Sequence, residues 1–404
     1  MLHGPALAGL GLVGALATPL LVSSALPNPW PVVIYLAVVV SAAYALARLR
    51  RWLWLAAAAA LGAGLWTLLL AANSPLTGID AAYGCLIVQL ALAGLVFAIL
   101  PHWGESDETA EFDTVASVVL VAFALLAIVV LTGGALDVSV RSSWVVASVA
   151  AMAILALVGA QAAPAAAASG AAGLVALAAM RLWPIARTTA DGLDAAGGAV
   201  TEHGRGMELA PLNLLFAPLW SGPQNAAASV GFSTLTALGV AILAGWRLRS
   251  GDKLKALIAT IYAGTATLTP IGAVAIADMR LAQGAASGAM ALVAALIGGG
   301  FLAAARLFRD GFPHEAPPAV RIGLGAFSAG AIAALASGLV FALDGGALTV
   351  SLALTALASA YVADRLGLSA LRWCVAALGL VIAGRLAYEP RIVGGALSPT
   401  PIFN

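Results

Sequence analysis

Residues 114–132 read TVASVVLVAFALLAIVVLT, a run without charge whose polar side chains are the hydroxyls of Thr114, Ser117 and Thr132. A helix rises 1.5 Å per residue, so a run of about 20 residues crosses the roughly 30 Å of hydrocarbon in a bilayer. Runs of the same kind fill the chain. They fall near residues 5–25, 31–47, 52–71, 82–100, 143–160, 165–183, 226–246, 254–275, 285–305, 321–343, 347–362 and 370–387. The expected fold is therefore all-α, a polytopic helical transmembrane bundle of about 13 spans. Gln161 to Pro164 separate the sixth and seventh runs, and Pro164 fits either the first turn of a new helix or a kink in a long one.

Composition agrees with the runs. Of 404 residues, 62% are hydrophobic and 9% are charged, whereas a soluble domain carries about a quarter charged residues and just under half apolar ones. Soluble enzymes, nucleic-acid binders and secreted disulfide scaffolds are excluded, and no stretch alternates apolar and polar long enough for a barrel strand. The net charge of +1 provides no strong global field to recruit an acidic partner. Cys85 and Cys374 sit in apolar runs without a second ligand at metal spacing, so both read as small buried hydrophobes and no metal or cofactor is expected.

Basic residues set the orientation. Most of the 19 lysines and arginines fall in alternate loops: Arg48, Arg50 and Arg51; Arg247, Arg249, Lys253 and Lys255; Arg306, Arg309 and Arg321; Arg365 and Arg372. Those loops are expected on the cytoplasmic side of a bacterial inner membrane, with the N-terminus inside. The first run lacks a charged start and exceeds a signal h-region, so it is expected to be a retained span.

Three regions follow: an N-terminal helix bundle over 1–184, an outward loop over 185–225 that is re-entrant or interfacial, and a C-terminal bundle over 226–404. A faint repeat relates Ala45–Gly62 (ALARLRRWLWLAAAAALG) to Val362–Gly379 (VADRLGLSALRWCVAALG), each an apolar hairpin with a basic turn.

Polar residues inside spans are costly and mark candidate sites. Gln89 lies mid-run in the fourth span, and Thr265, Thr267 and Thr269 precede Pro270 in the ninth, where proline frees a carbonyl and threonine hydroxyls can bond back to their own helix. These five residues form the expected substrate cavity, with His203, Asn213, Gln224 and Asn225 at its outer mouth. Packing of small and hydroxyl residues between helices competes with that reading. An alternative acidic site comprises Asp80, Asp191 and Asp194 in outward loops, the placement a polyprenyl-phosphate-dependent glycosyltransferase-like enzyme would need. A third possibility is a structural scaffold without substrate. With no charged residue mid-span to relay protons, the leading expectation is a transport or envelope-biogenesis component handling a lipid-like or weakly charged substrate, leaning away from an enzyme. The expected partners are membrane lipids and a lipid-linked substrate, with no nucleic acid; oligomeric state is left open.

Four stretches carry a resemblance: GPALAGLGLVGALATPLLVSSALPNPW (Gly4–Trp30), LARLRRWLWLAAAAALGAGLW (Leu46–Trp66), AEFDTVA (Ala110–Ala116) and RLAYEPRIVGGALSPTPIFN (Arg385–Asn404). Together they resemble the bacterial multipass membrane proteins of domain of unknown function 2339. The resemblance implies a piece of a longer chain, and it transfers no catalytic residue because the family has no established activity.

Overall fold

The computed structural model describes residues 4–21, 28–73, 79–103, 110–134, 141–182, 226–251, 254–281, 286–310, 317–343, 345–366 and 369–388. Among these there are thirteen α-helices and no strand: α1 Gly4–Leu21, α2 Trp30–Arg50, α3 Leu53–Ala72, α4 Asp80–Ala93, α5 Thr114–Gly134, α6 Arg141–Gln161, α7 Ala167–Leu182, α8 Ala226–Ser250, α9 Ala256–Leu281, α10 Gly288–Asp310, α11 Pro318–Ala342, α12 Gly345–Leu366 and α13 Ser369–Tyr388. Seven of them, and α4 taken together with the helical turn that continues it to Ile99, are long and apolar enough to cross a membrane, and four more carry shorter apolar stretches. The chain is a multipass membrane protein. Its contacts divide it into two units, Met1–Ala244 and Gly245–Asn404, so the division falls inside α8 rather than at its start. The loop expected over 185–225 lies outside the described residues.

In the first unit α4 packs against α2, α3, α5 and α6, while α7 packs against α5 and α6. Each helix divides its apolar residues between protein and lipid. On α2, Val33, Leu36, Val40, Ala43, Tyr44 and Ala47 are buried at helical spacing, while Ile34 and Val38 stay 64% and 62% exposed. Exposed leucines and valines belong on a surface that hydrocarbon covers.

Helix α1 is tied to α2 and α3 beside a proline. Pro19 inside α1 has no N–H to give the Ala15 carbonyl, and the Tyr35 hydroxyl donates to that carbonyl at 3.0 Å. One residue on, the Leu16 carbonyl accepts from Trp66 Nε1 at 2.9 Å. Tyr35 thus restores the one backbone pairing that Pro19 removes and lipid cannot provide, and Trp66 adds a second tie to the same turn.

Two local features go beyond the apolar runs. The helix after Ala93 widens into a π turn over Gly94–Ile99, closed by Leu100 N–H donating to the Leu95 carbonyl at 2.9 Å. Between α6 and α7 the backbone extends at Ala162 (φ −121°, ψ 99°) and makes a 3₁₀ turn over Ala163–Ala165, so Pro164 opens a new helix rather than kinking a long one.

The second unit centres on α11, which packs against α9, α10, α12 and α13. Glycine permits its closest approach: a Cβ on Gly338 would lie 3.2 Å from the Ala291 carbonyl oxygen, and one on Gly298 3.4 Å from that of Ala331. Phe301 and Phe308 pack beside Phe327 with ring centres 6.0 and 5.5 Å apart. Helix α9 runs unbroken through Pro270.

Candidate functional site

Gln89 sits on the inner face of α4 with Leu86, Leu90 and Ala93. It is wholly buried, and neither its Oε1 nor its Nε2 has a hydrogen-bond partner. The hydroxyls of Tyr44 and Tyr83 and the Oγ of Ser117, all on buried residues of the same unit, are also unpartnered. By contrast, Thr67 donates to the Ala63 carbonyl at 2.9 Å and lies 3.5 Å from the sulfur of buried Cys85. An unsatisfied buried amide or hydroxyl costs about 1–3 kcal/mol, so these orphans are where a polar visitor gains most.

Thr265, Thr267, Thr269 and Pro270 belong to α9 in the second unit, and all three threonines are buried. Thr265 donates to the Ile261 carbonyl and Thr267 to that of Ala263, both at 2.9 Å, the back-bonding that their position invites. Thr267 also packs toward α11, where a Cβ on Gly330 would lie 3.2 Å from its Cγ2. The threonines therefore carry a packing role and retain lone pairs that can accept.

Asp80 is exposed in the first turn of α4, where a carboxylate favours the helix N-terminus. His203, Asn213, Gln224, Asn225, Asp191 and Asp194 lie outside the described residues. Among the described residues, no three His, Cys, Asp or Glu side chains gather to hold a metal ion.

Sequence reasoning missed two features. Asp278 lies beyond the apolar run ending near 275, yet α9 continues to Leu281 and leaves Asp278 only 9% exposed, with Oδ1 unpartnered. The other is a cleft of about 390 Å³ at one end of the first unit, where α2 meets α3 and the π turn meets α5. Arg48 and Arg51 supply its cations, Leu53, Ala56, Val96 and Phe97 its apolar walls, and Asp113 its acid. The backbone there is distinctive. Arg51 has φ 56°, the one positive value at a described non-glycine residue, and it closes α2 by donating to the Arg48 carbonyl at 3.3 Å, while Trp52 N–H donates to that of Ala47 at 2.8 Å. That pair of bonds is a Schellman ending, whose left-handed position usually holds glycine.

Asp113 is fully engaged. Its Oδ1 accepts from Ala116 N–H at 3.0 Å and so caps α5, its Oδ2 lies 3.2 Å from His102 Nε2, and its own N–H donates to the Pro164 carbonyl at 3.0 Å. A smaller cleft of about 220 Å³ in the second unit is lined by Ala360, Ala363, Asp364, Arg372 and Val375, at the α12–α13 turn.

Residues 1–178 match the family model described as "Predicted membrane protein (DUF2339)". The match takes in α1 to α6 and most of α7, and with them Gln89, the π turn and the whole lining of the larger cleft. The DUF2339 resemblance is thus supported for the opening, the Leu-Arg-Arg-Trp turn and the AEFDTVA segment, while the closing Arg385–Asn404 stretch lies beyond the matched residues. No curated protein and no solved structure matches the chain.

Proposed function

We propose that this membrane protein is a transport or envelope-biogenesis component of the bacterial inner membrane, handling a lipid-like or weakly charged substrate inside its helix bundle. The observation that carries the reading is Gln89, a carboxamide held at zero exposure with two donors and an acceptor unused. Such a group persists in an otherwise apolar helix face at a cost, and a neutral polar partner repays it where a charged one would have to shed its own hydration. Thr265, Thr267, Thr269 and Pro270 are the corresponding candidates in the second unit, and they are tested alongside.

The test is mass spectrometry of the lipids that copurify with the protein in mild detergent, against an unrelated inner-membrane protein. The reading expects one lipid class to be enriched on the wild type and lost from Gln89→Leu, with folded yield kept. Thr265→Ala/Thr269→Ala, read by the same measurement, tests the second unit's candidates by themselves. A profile equal to bulk phospholipid, or a Gln89→Leu variant that lowers yield while retaining the same lipids, would overturn it.

A further inference from the structure

We propose that the cleft at the α2–α3 turn binds the phosphate headgroup of an anionic lipid, with Arg48 and Arg51 as its donors. Their guanidiniums are the cations of the cleft, and among the described residues neither has a carboxylate at ion-pair distance. The cleft's acid, Asp113, makes no ion pair with either, its two oxygens being turned to Ala116 N–H and His102, and one carboxylate against two guanidiniums leaves the cleft a net cation. Arginine presents a planar fork of N–H groups that matches phosphate oxygens two at a time.

The backbone supports a use for Arg51. At φ 56° a side chain costs about 1–2 kcal/mol that glycine would avoid, and strain of this kind persists where the side chain serves something else. The π turn supports a built cleft, since it carries Val96 and Phe97 into the wall, and such turns recur at functional sites. Phe97 is held edge-on by Tyr44 with ring centres 5.4 Å apart.

The walls choose a lipid over a soluble anion. Leu53 and Val115 line the cleft while remaining 64% and 40% exposed, so it opens along apolar surface of the kind hydrocarbon covers. An acyl chain gains from that surface, whereas inorganic phosphate gains nothing. The volume of about 390 Å³ falls within the range of small-ligand pockets, enough for a phosphoester head with its first carbons.

Native mass spectrometry of the full chain in mild detergent, titrated with phosphatidic acid or phosphatidylcholine, tests the proposal. Phosphatidic acid is expected to be retained over phosphatidylcholine, and the Arg48→Gln/Arg51→Gln variant to lose at least about tenfold in that retention, the loss of one to two charged hydrogen bonds. Arg48→Lys/Arg51→Lys should keep part of it. Arg249→Gln, which removes an exposed cation from the end of α8, should keep all of it. Should the double variant fail to fold, Arg48→Gln alone leaves the left-handed residue in place and carries the comparison. Unchanged retention in the glutamine variants, or equal loss in Arg249→Gln, would overturn the site. Full displacement of the lipid by inorganic phosphate would overturn the lipid as ligand. Gln89 is not part of the cleft lining, so this outcome and that of the Gln89→Leu test are separate.

Discussion

Arg51 and Gln89 are both residues that stability alone would not select. Arg51→Gly is expected to raise stability by about 1 kcal/mol, because glycine takes the left-handed position without a Cβ clash, and to lower phosphatidic acid retention at the same time. Thermal unfolding in detergent reads the first effect and native mass spectrometry the second; a destabilised Arg51→Gly protein would show that the arginine serves the fold. Gln89→Leu is expected to stabilise the lipid-free protein by about 1–3 kcal/mol, since it removes two orphaned polar atoms at similar volume. The carboxamide was legible in the sequence as the polar exception in an apolar run. That it lacks a partner was not, because its partners would have to come from neighbouring helices distant in the chain. Asp278 shows the converse: hydropathy falls where the aspartate stands, so the apolar run stops early, while backbone hydrogen bonding carries α9 on to Leu281.

Among elements, small residues decide which helices touch. A Cβ on Gly159 in α6 would meet the Ser169 Oγ and come within 2.7 Å of the Ser169 backbone nitrogen in α7, which no rotamer change relieves. Gly159→Ala is therefore expected to cost about 1–3 kcal/mol and reduce folded yield, with urea or thermal unfolding of detergent-solubilised protein as the check. Gly299→Ala, inside α10 where a Cβ meets nothing within 4 Å, should instead keep yield and raise stability by up to about 1 kcal/mol. Helix number was legible because a span needs a fixed length of apolar chain. The π turn was not, since Gly94–Ile99 is as apolar as the α-helix before it and only the i to i+5 bond distinguishes them.

At the scale of the molecule, orientation is the expectation with the widest consequence. The end of α2, the start of α3, the π turn and the start of α5 share the cleft, and the excess of arginine and lysine is the ground for expecting that end on the cytoplasmic side. Single cysteines at Arg50 and Asn73, exposed near opposite ends of the α2–α3 hairpin, report it in a Cys85→Ser/Cys374→Ser background. In intact cells an impermeant thiol reagent should label Asn73→Cys and leave Arg50→Cys unlabelled; the reverse would invert the protein and move the cleft to the other leaflet. Both proposals place a lipid against the first unit, one at the Arg48–Arg51 cleft and one at Gln89. Single-particle imaging in nanodiscs of native bacterial lipid tests that placement most directly. Non-protein density is expected with its head between Arg48 and Arg51 and its tail along Leu53 and Val115, together with a polar contact at Gln89. A cleft filled only by solvent, with Gln89 satisfied by water alone, would contradict it.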